Sequence, residues 1–288
     1  MNLNININDV SETAFLTLYS HALDAQSKEP ILSDLSSVKT VQFLNSALLG
    51  SKKVLHKKLL RGKIDKKAAV HIVIRARQYD KYIRDYIKVH PEAAIVNIGC
   101  GLDNRFERVD NGKIEFFDLD LPDIIDIKRQ LFNESDRYCQ ISQSVLDFSW
   151  MDKISRKDVL FIAEGVFMYL QETEVKALFL EMYEKFPGSE IVCEVFNSMW
   201  LKDWWKKMMK IKLQRELDLG EDAMFHFGIK DSFEIETWKD GFKLLGDWSY
   251  FDSSEKKLGF MRLFRNVKFF RYTQWTIHYR LGSDAEES

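Results

Sequence analysis

The chain has 288 residues, 45% hydrophobic and 30% charged, with four prolines and thirteen glycines. This composition excludes a disordered or fibrous protein and fits one large α/β domain or a domain with a cap. The net charge of −2 excludes a bulk attraction to nucleic acid or to a membrane. Cys100, Cys139 and Cys193 are far apart and odd in number, which argues against a disulfide framework or a zinc site. No metal is expected. Cys139 and Cys193 lie in apolar, strand-like runs and read as buried thiols in a reducing cytoplasm. The start, MNLNININDV, lacks the basic and apolar regions of a signal peptide. No apolar run approaches the roughly 20 residues that span a bilayer, so a soluble, cytoplasmic protein is expected.

Residues 11–90 read as mostly helical. Val70, Ile74, Tyr79, Tyr82, Ile83, Tyr86 and Ile87 recur at helical spacing, and Pro91 closes the region. Residues 1–90 are expected to form a helical cap integral to the domain, with 91–288 as its core. Within the cap, eight basic residues between Lys52 and Lys67 read as a solvated helical face rather than an RNA-binding patch.

From Ala94 onward strand and helix alternate. Strands are expected at Ile95–Ile98, Ile114–Asp120, Tyr138–Ser142, Val159–Ala163 and Ile191–Val195, and again at Leu244–Tyr250 and Gln274–Leu281. Pro122 suits the first turn of a helix running to about Asn133. Val175, Leu178, Phe179, Met182, Tyr183 and Phe186 form one apolar stripe on a helix from Glu172 to Phe186, with Gly188 just past its stop. Such alternation predicts a mostly parallel sheet covered on both faces. A helical insertion, about 199–232, carries Trp200, Trp204, Trp205 and a lysine run. It reads as a lid over an apolar mouth rather than a membrane-surface helix. The final GSDAEES reads as a frayed tail.

The first strand ends in Gly99-Cys100-Gly101, and Asp120 ends the next, about twenty residues on. Glycines let a ligand approach the backbone, and a carboxylate there accepts ribose hydroxyls. A dinucleotide loop usually has a third glycine facing a pyrophosphate. This chain has Asp103, which would repel a pyrophosphate and attract an ammonium. The loop therefore favours S-adenosylmethionine, which carries an amine and no phosphate. Asp120 lies further along the strand than Asp118 and takes the ribose; Asp118 reads as a solvated or capping carboxylate.

Together IVNIGCGLDNRFERV, FFDLDLP and FIAEGVFMYL resemble the leucine carboxyl methyltransferase family, which includes tetracenomycin-type polyketide O-methyltransferases. The resemblance runs from about Arg75 to Phe196. It implies a Rossmann-like class I methyltransferase fold: a mostly parallel seven-stranded sheet with a reversed last strand. It implies S-adenosylmethionine as methyl donor, S-adenosylhomocysteine as product, and a carboxylate or hydroxyl of a small molecule or peptide C-terminus as acceptor. Carried over by motif, Gly99 and Gly101 approach the methionine part of the donor, and Asp120 binds its ribose. Asp147 and Phe148, in SVLDFSW, hold the adenine. Glu164 borders the methionine end, where a buried acid needs a partner. An arginine before the first strand binds the donor carboxylate; IRARQYD offers Arg75 and Arg77, with Arg77 preferred. Tyr169 either packs in the core or stands near the transferred methyl, as the candidate catalytic residue. The chain departs from the family's usual GLDTR in having Asn104 before Arg105.

A carboxylate acceptor is ionised at neutral pH and needs no base, whereas a hydroxyl usually does. His21, His71 and His226 are the base candidates, and none sits in a recognisable base motif, which favours a carboxylate. Two rival readings are a nicotinamide-dependent oxidoreductase, opposed by Asp103, and a non-catalytic methyltransferase-like binding module, opposed by the complete set of cofactor residues.

Overall fold

The computed structural model of the chain describes residues 9–202 and 224–282. Near-continuous apolar runs mark strands covered on both faces. Accordingly β1 (Ala94–Ile98), β4 (Val159–Ala163) and β5 (Ser189–Phe196) are buried at every position. β2 (Glu115–Asp120) and β3 (Tyr138–Ser142) extend the parallel sheet on one side. On the other, β7 (Gln274–Leu281) runs antiparallel between β5 and β6 (Phe242–Trp248). The seven strands lie in the order β3-β2-β1-β4-β5-β7-β6. This is the expected Rossmann-like sheet with a reversed last strand.

Alternate side chains of each strand feed two separate cores. Ile95, Phe116, Leu160 and Ile162 meet Tyr79, Ile83 and Ile87 of α4 (Lys66–Val89). Val96, Ile98, Phe161 and Cys193 meet Val175, Leu178, Phe179 and Met182 of α7 (Glu172–Lys185). α7 starts with a capping box between Gln171 and Glu174, which satisfies backbone groups that the first turn leaves free. A third core joins α1 (Asp9–Ala25), α2 (Leu35–Leu48) and α3 (Val54–Leu60) to Leu102, just ahead of α5 (Arg105–Val109), and to Ile124 and Ile127 of α6 (Pro122–Lys128). It fastens α1 over the end of β1.

Several local expectations change. α6 stops at Lys128, and the chain continues in tight turns, Gln130 N to Ile127 O and Leu131 N to Lys128 O. Lys128 is drawn fully inside to Asp118 at 2.8 Å. Asp118 is consequently not solvated: it is fully buried and also accepts from Asn97 Nδ2 and Tyr138 Oη, each at 2.7 Å. β6 begins and ends two residues before the expected Leu244–Tyr250, because Ser249 and Asp252 form a capping box that turns Tyr250 out of the strand. Cys100 and Cys193 are buried, but Cys139 is half-exposed on the edge strand β3; all three are free thiols. Most of the basic side chains between Lys52 and Lys67 face solvent.

Most of the expected insertion, including Trp204 and Trp205, lies outside the described residues. Its described flanks join through a bridge of Asn197 with Ile229. Among the described residues no helix is long and apolar enough to cross a membrane.

Candidate active site

The parallel register sets Ile98 opposite both Leu119 and Ala163. The next residues along, Gly99, Asp120 and Glu164, therefore leave the sheet side by side. A cavity of about 360 Å³ opens at this edge, roofed by Thr13, Ala14, Thr17 and His21 of α1. It is the crevice outside strand carboxyl ends where open α/β sheets take ligands.

Gly99 and Gly101 both have positive φ, +63° and +55°. A Cβ on Gly99 would come within 2.3 Å of Val166 Cγ2, and one on Gly101 within 3.3 Å of Ala14 Cβ. The tight loop thus lets the segment after β4 and the helix α1 close on it from two sides. Asp120 anchors the same loop: its Oδ2 accepts from Gly101 N and its Oδ1 from Leu121 N, both at 2.8 Å. Burial raises its pKa to about 6, against the lowering pull of those two N–H groups.

Behind the loop lies a continuous buried ion network. Arg75 donates to Glu164 at 2.7 Å and to Glu194 at 2.8 Å. Arg105, 3% exposed, bonds the other oxygen of Glu164 and reaches Asp80 at 3.1 Å and Asn97 at 3.2 Å. Arg108 continues the chain to Asp80 at 2.7 Å, Asp103 at 2.6 Å and Asp34 at 3.2 Å. Burial works against the charge on Arg75 and Arg105, but the facing carboxylates outweigh it and raise both pKa values. Burial also works against the Glu164 anion, yet Arg75 and Arg105 hold its pKa below the usual range. Glu194 goes the other way: burial, with Glu164 nearby, lifts its pKa despite Arg75.

The structure brings Arg75, Gly99, Gly101, Asp103, Asp120, Glu164 and Tyr169 to the cavity. Three expected residues stand elsewhere. Arg77, preferred from the sequence, is 38% exposed and pairs with Glu255 at 3.2 Å, away from the cavity wall. Arg75 and Arg77 lie two positions apart on α4, so they cannot share one face. Asp147 and Phe148 are also off the wall. Asp147 is exposed and caps a 3₁₀ turn by accepting from Ser149 N, while Gln143, Ser144 and Val145 just before it line the cavity. Asp103 does reach the cavity, but both its oxygens are held by Arg108, at 2.6 and 2.8 Å. The carboxylate that the sequence offered to a ligand ammonium is thus already paired.

Of the three histidines, His21 alone lines the cavity. It is fully buried; its Nδ1 faces Asp34 Oδ2 at 3.1 Å, and its Nε2 has no hydrogen-bond partner among the described residues. His71 lies against the Tyr250 ring at 4.0 Å, and burial lowers its pKa to about 3. His226 is exposed, and its backbone N–H bonds Met168 O. Tyr169 is half-buried at the wall, 5.6 Å from the Phe225 ring, and burial raises its pKa to about 12.

Glu194 and Arg105 escaped the sequence reading. The signal for Glu194 was present: an acid inside the apolar run IVCEVF needs a partner as much as Glu164 does. Arg105 stood in the glycine motif, but its role as the link between Glu164 and Asp80 depends on contacts distant in sequence.

The leucine carboxyl methyltransferase family model matches residues 14–183, more than half of the chain. The tetracenomycin polyketide synthesis O-methyltransferase TcmP of Streptomyces glaucescens is 26% identical over 251 residues, 86% of each chain. The S-adenosyl-L-methionine-dependent methyltransferase dpfgK of Gibberella zeae is 26% identical over 206 residues, 66% of each. A DUF574 family protein of Streptomyces avermitilis has a similar fold, with TM-score 0.55 and 10% identity over 92% of this chain and 96% of that one. A structure from Thermobifida fusca follows at TM-score 0.52 and 12% identity, over 92% and 94%. At such identities these two speak for the fold alone. The family match sets aside the nicotinamide oxidoreductase reading. With its sheet order, its glycine loop and Asp120 on one crevice, the chain belongs to the leucine carboxyl methyltransferase family, and it is an S-adenosylmethionine-dependent methyltransferase.

Proposed function

We propose that the protein methylates an oxygen, a carboxylate before a hydroxyl, of a small-molecule or peptide acceptor. The observation that carries this reading is the placement of Gly99, Asp120 and Glu164 on adjacent strand ends around one cavity. The residues present suit the donor. Asp120 keeps acceptor capacity beyond its two backbone bonds, which fits a pair of ribose hydroxyls. Leu119, Ile124 and Val145 offer an apolar bed for the adenine, beside Ser144. Gly99 and Gly101 let the methionine part lie against backbone, and Arg75, rather than Arg77, faces its carboxylate.

When bound, S-adenosylmethionine supplies a methyl group already activated by its sulfonium. The chain's own work is therefore alignment and exclusion of water. α1 roofs the cavity and narrows the access of water to it. Arg75 and Arg105 fix Glu164, so the wall at the end of β4 is rigid when the acceptor arrives. Tyr169 stands at that wall, with a hydroxyl that burial keeps protonated and able to donate to an acceptor oxygen. The name of TcmP supports oxygen as the methylated atom. The absence of a base motif around the three histidines supports a carboxylate, which needs no deprotonation.

The test is calorimetric titration with S-adenosylmethionine and S-adenosylhomocysteine, with NAD as control, followed by transfer of labelled methyl to paired acids and phenols. Binding of both sulfur compounds and a base-labile methyl ester product are expected. Binding without transfer to any acceptor would favour a non-catalytic binding module.

A further inference from the structure

We propose that the connection between β6 and β7 docks on an anionic lipid surface. From Lys256 to Gly282 the chain contains seven lysines and arginines and no aspartate or glutamate, although the whole chain carries a net −2. The same stretch exposes large apolar side chains: Phe260 at 68%, Leu263 at 70%, Val267 at 43%, Phe269 at 49% and Phe270 at 39%. Gly259, at φ +55°, breaks the turn so that Leu258 goes inward, 5% exposed, while Phe260 goes outward.

This face is built. Phe264 packs edge-on to Phe251 at 5.7 Å and against Phe270 at 4.5 Å. Arg271 is tied to Asp247 at 2.8 Å and to Asp252 at 2.9 Å. The protruding side chains therefore stand on a fixed base. Lys256, Arg265 and Lys268 are exposed and form no ion pair with any described residue.

Interleaved aromatic and cationic side chains, with the neighbouring acids Asp247 and Asp252 already engaged by Arg271, match the headgroup boundary of an anionic bilayer. The rings enter the acyl edge, and the cations stay with the phosphates. The exposed rings form small protruding clusters, Phe260 against Phe264 at 6.2 Å and Phe269 with Phe270 at 5.4 Å, which favours a soft lipid surface over a shaped acidic protein. No spanning segment is involved, and the overall charge conceals the local excess. The face runs straight into Gln274, the first residue of β7, which lines the cavity. Docking would bring that side of the cavity to the bilayer.

The experiment is sedimentation of the full-length protein with vesicles of phosphatidylcholine, with and without one-third phosphatidylglycerol. Binding to the anionic vesicles, at least about tenfold weaker on phosphatidylcholine alone, is expected. The pair Lys256→Gln and Lys268→Gln should lower it on the order of 25-fold, since each cation near the surface contributes about fivefold. The pair Phe260→Ser and Leu263→Ser should abolish it without lowering Tm. No binding to anionic vesicles, equal binding to both kinds, or indifference to the two pairs would each overturn the proposal. A fall in Tm for the serine pair would overturn it too, by placing those side chains against the chain's own residues. Binding to polyglutamate in place of vesicles would assign the face to an acidic protein.

Discussion

The carboxyl ends of β1, β2 and β4 line the cavity, whereas the connection between β6 and β7 stands outside it and leads to it only through Gln274; the two are built in opposite ways. At the first, charges lie inside: Arg75, Arg105 and Arg108 are threaded between five buried or nearly buried carboxylates, Glu194, Glu164, Asp80, Asp103 and Asp34. At the second, apolar side chains lie outside and the cations stand among them. A buried network of this kind has few geometries that satisfy it, so it holds a ligand site to one shape at a cost in desolvation. An exposed aromatic face has no such constraint and can vary with whatever the enzyme meets. One region therefore suits a fixed donor, and the other suits a soft lipid surface.

The contrast can be broken most severely at Arg105. Replacing it by Met leaves Glu164 and Asp80 each short of a buried partner. The expected loss is about 3 to 5 kcal/mol of stability, read by denaturant unfolding. A loss below about 1 kcal/mol would mean that water already screens the network. Asp120→Ala tests the ligand side of the same edge. Losing a charged acceptor for two hydroxyls should weaken S-adenosylmethionine binding on the order of 100-fold, by calorimetry. Wild-type affinity in that variant would remove Asp120 from the site.

Acid should imitate that variant. With a pKa raised to about 6, Asp120 is an anion at neutral pH and takes up a proton as the pH falls through about 6. Only the anion accepts from both hydroxyls, so donor affinity should be level above that pH and fall by up to about tenfold per unit below it. The sign for folding is the reverse. A folded pKa above the unfolded one of about 3.9 contributes stability at low pH that is lost as the pH rises from about 4 to 6. Weaker binding at low pH without lower stability would separate this group from general acid unfolding. Affinity independent of pH between about 5 and 8, a window that spans the titration near 6, would contradict the assignment.

Legibility in the sequence follows how local each cause is. The strands at β1 and β4 could be read nearly to the residue because burial on both faces leaves near-continuous apolar runs, and β3 and β7 because β-branched and aromatic side chains recur in them. Gly99, Gly101 and Asp120 could be read because a tight turn and a strand end are consequences of neighbouring residues. Arg75 against Arg77 could not: both lie on α4, and which one faces the cavity depends on how that helix rotates against β4. The same holds for Asp118, which looked solvated until Lys128 arrived from α6. The β6–β7 face is legible as composition, a long stretch without an acid, but its exposure is a tertiary fact.

The smallest effect tests the finest of these distinctions. Asp147 was expected to hold the adenine, and it lies exposed as the cap of a 3₁₀ turn, with Ser149 N at 3.3 Å and Ser149 Oγ at 2.9 Å. A cap and a ligand residue fail differently. Asp147→Ala should cost about 1 kcal/mol of stability, the usual worth of such a bond, and leave donor affinity within about twofold. Ser144, on the cavity wall three residues earlier, should show the converse when replaced by a bulky Leu: little change in stability, and a loss of donor binding by steric exclusion. If Asp147→Ala weakened the donor as much as Ser144→Leu, the turn itself would be part of the adenine site, and its cap would act on the ligand through Val145.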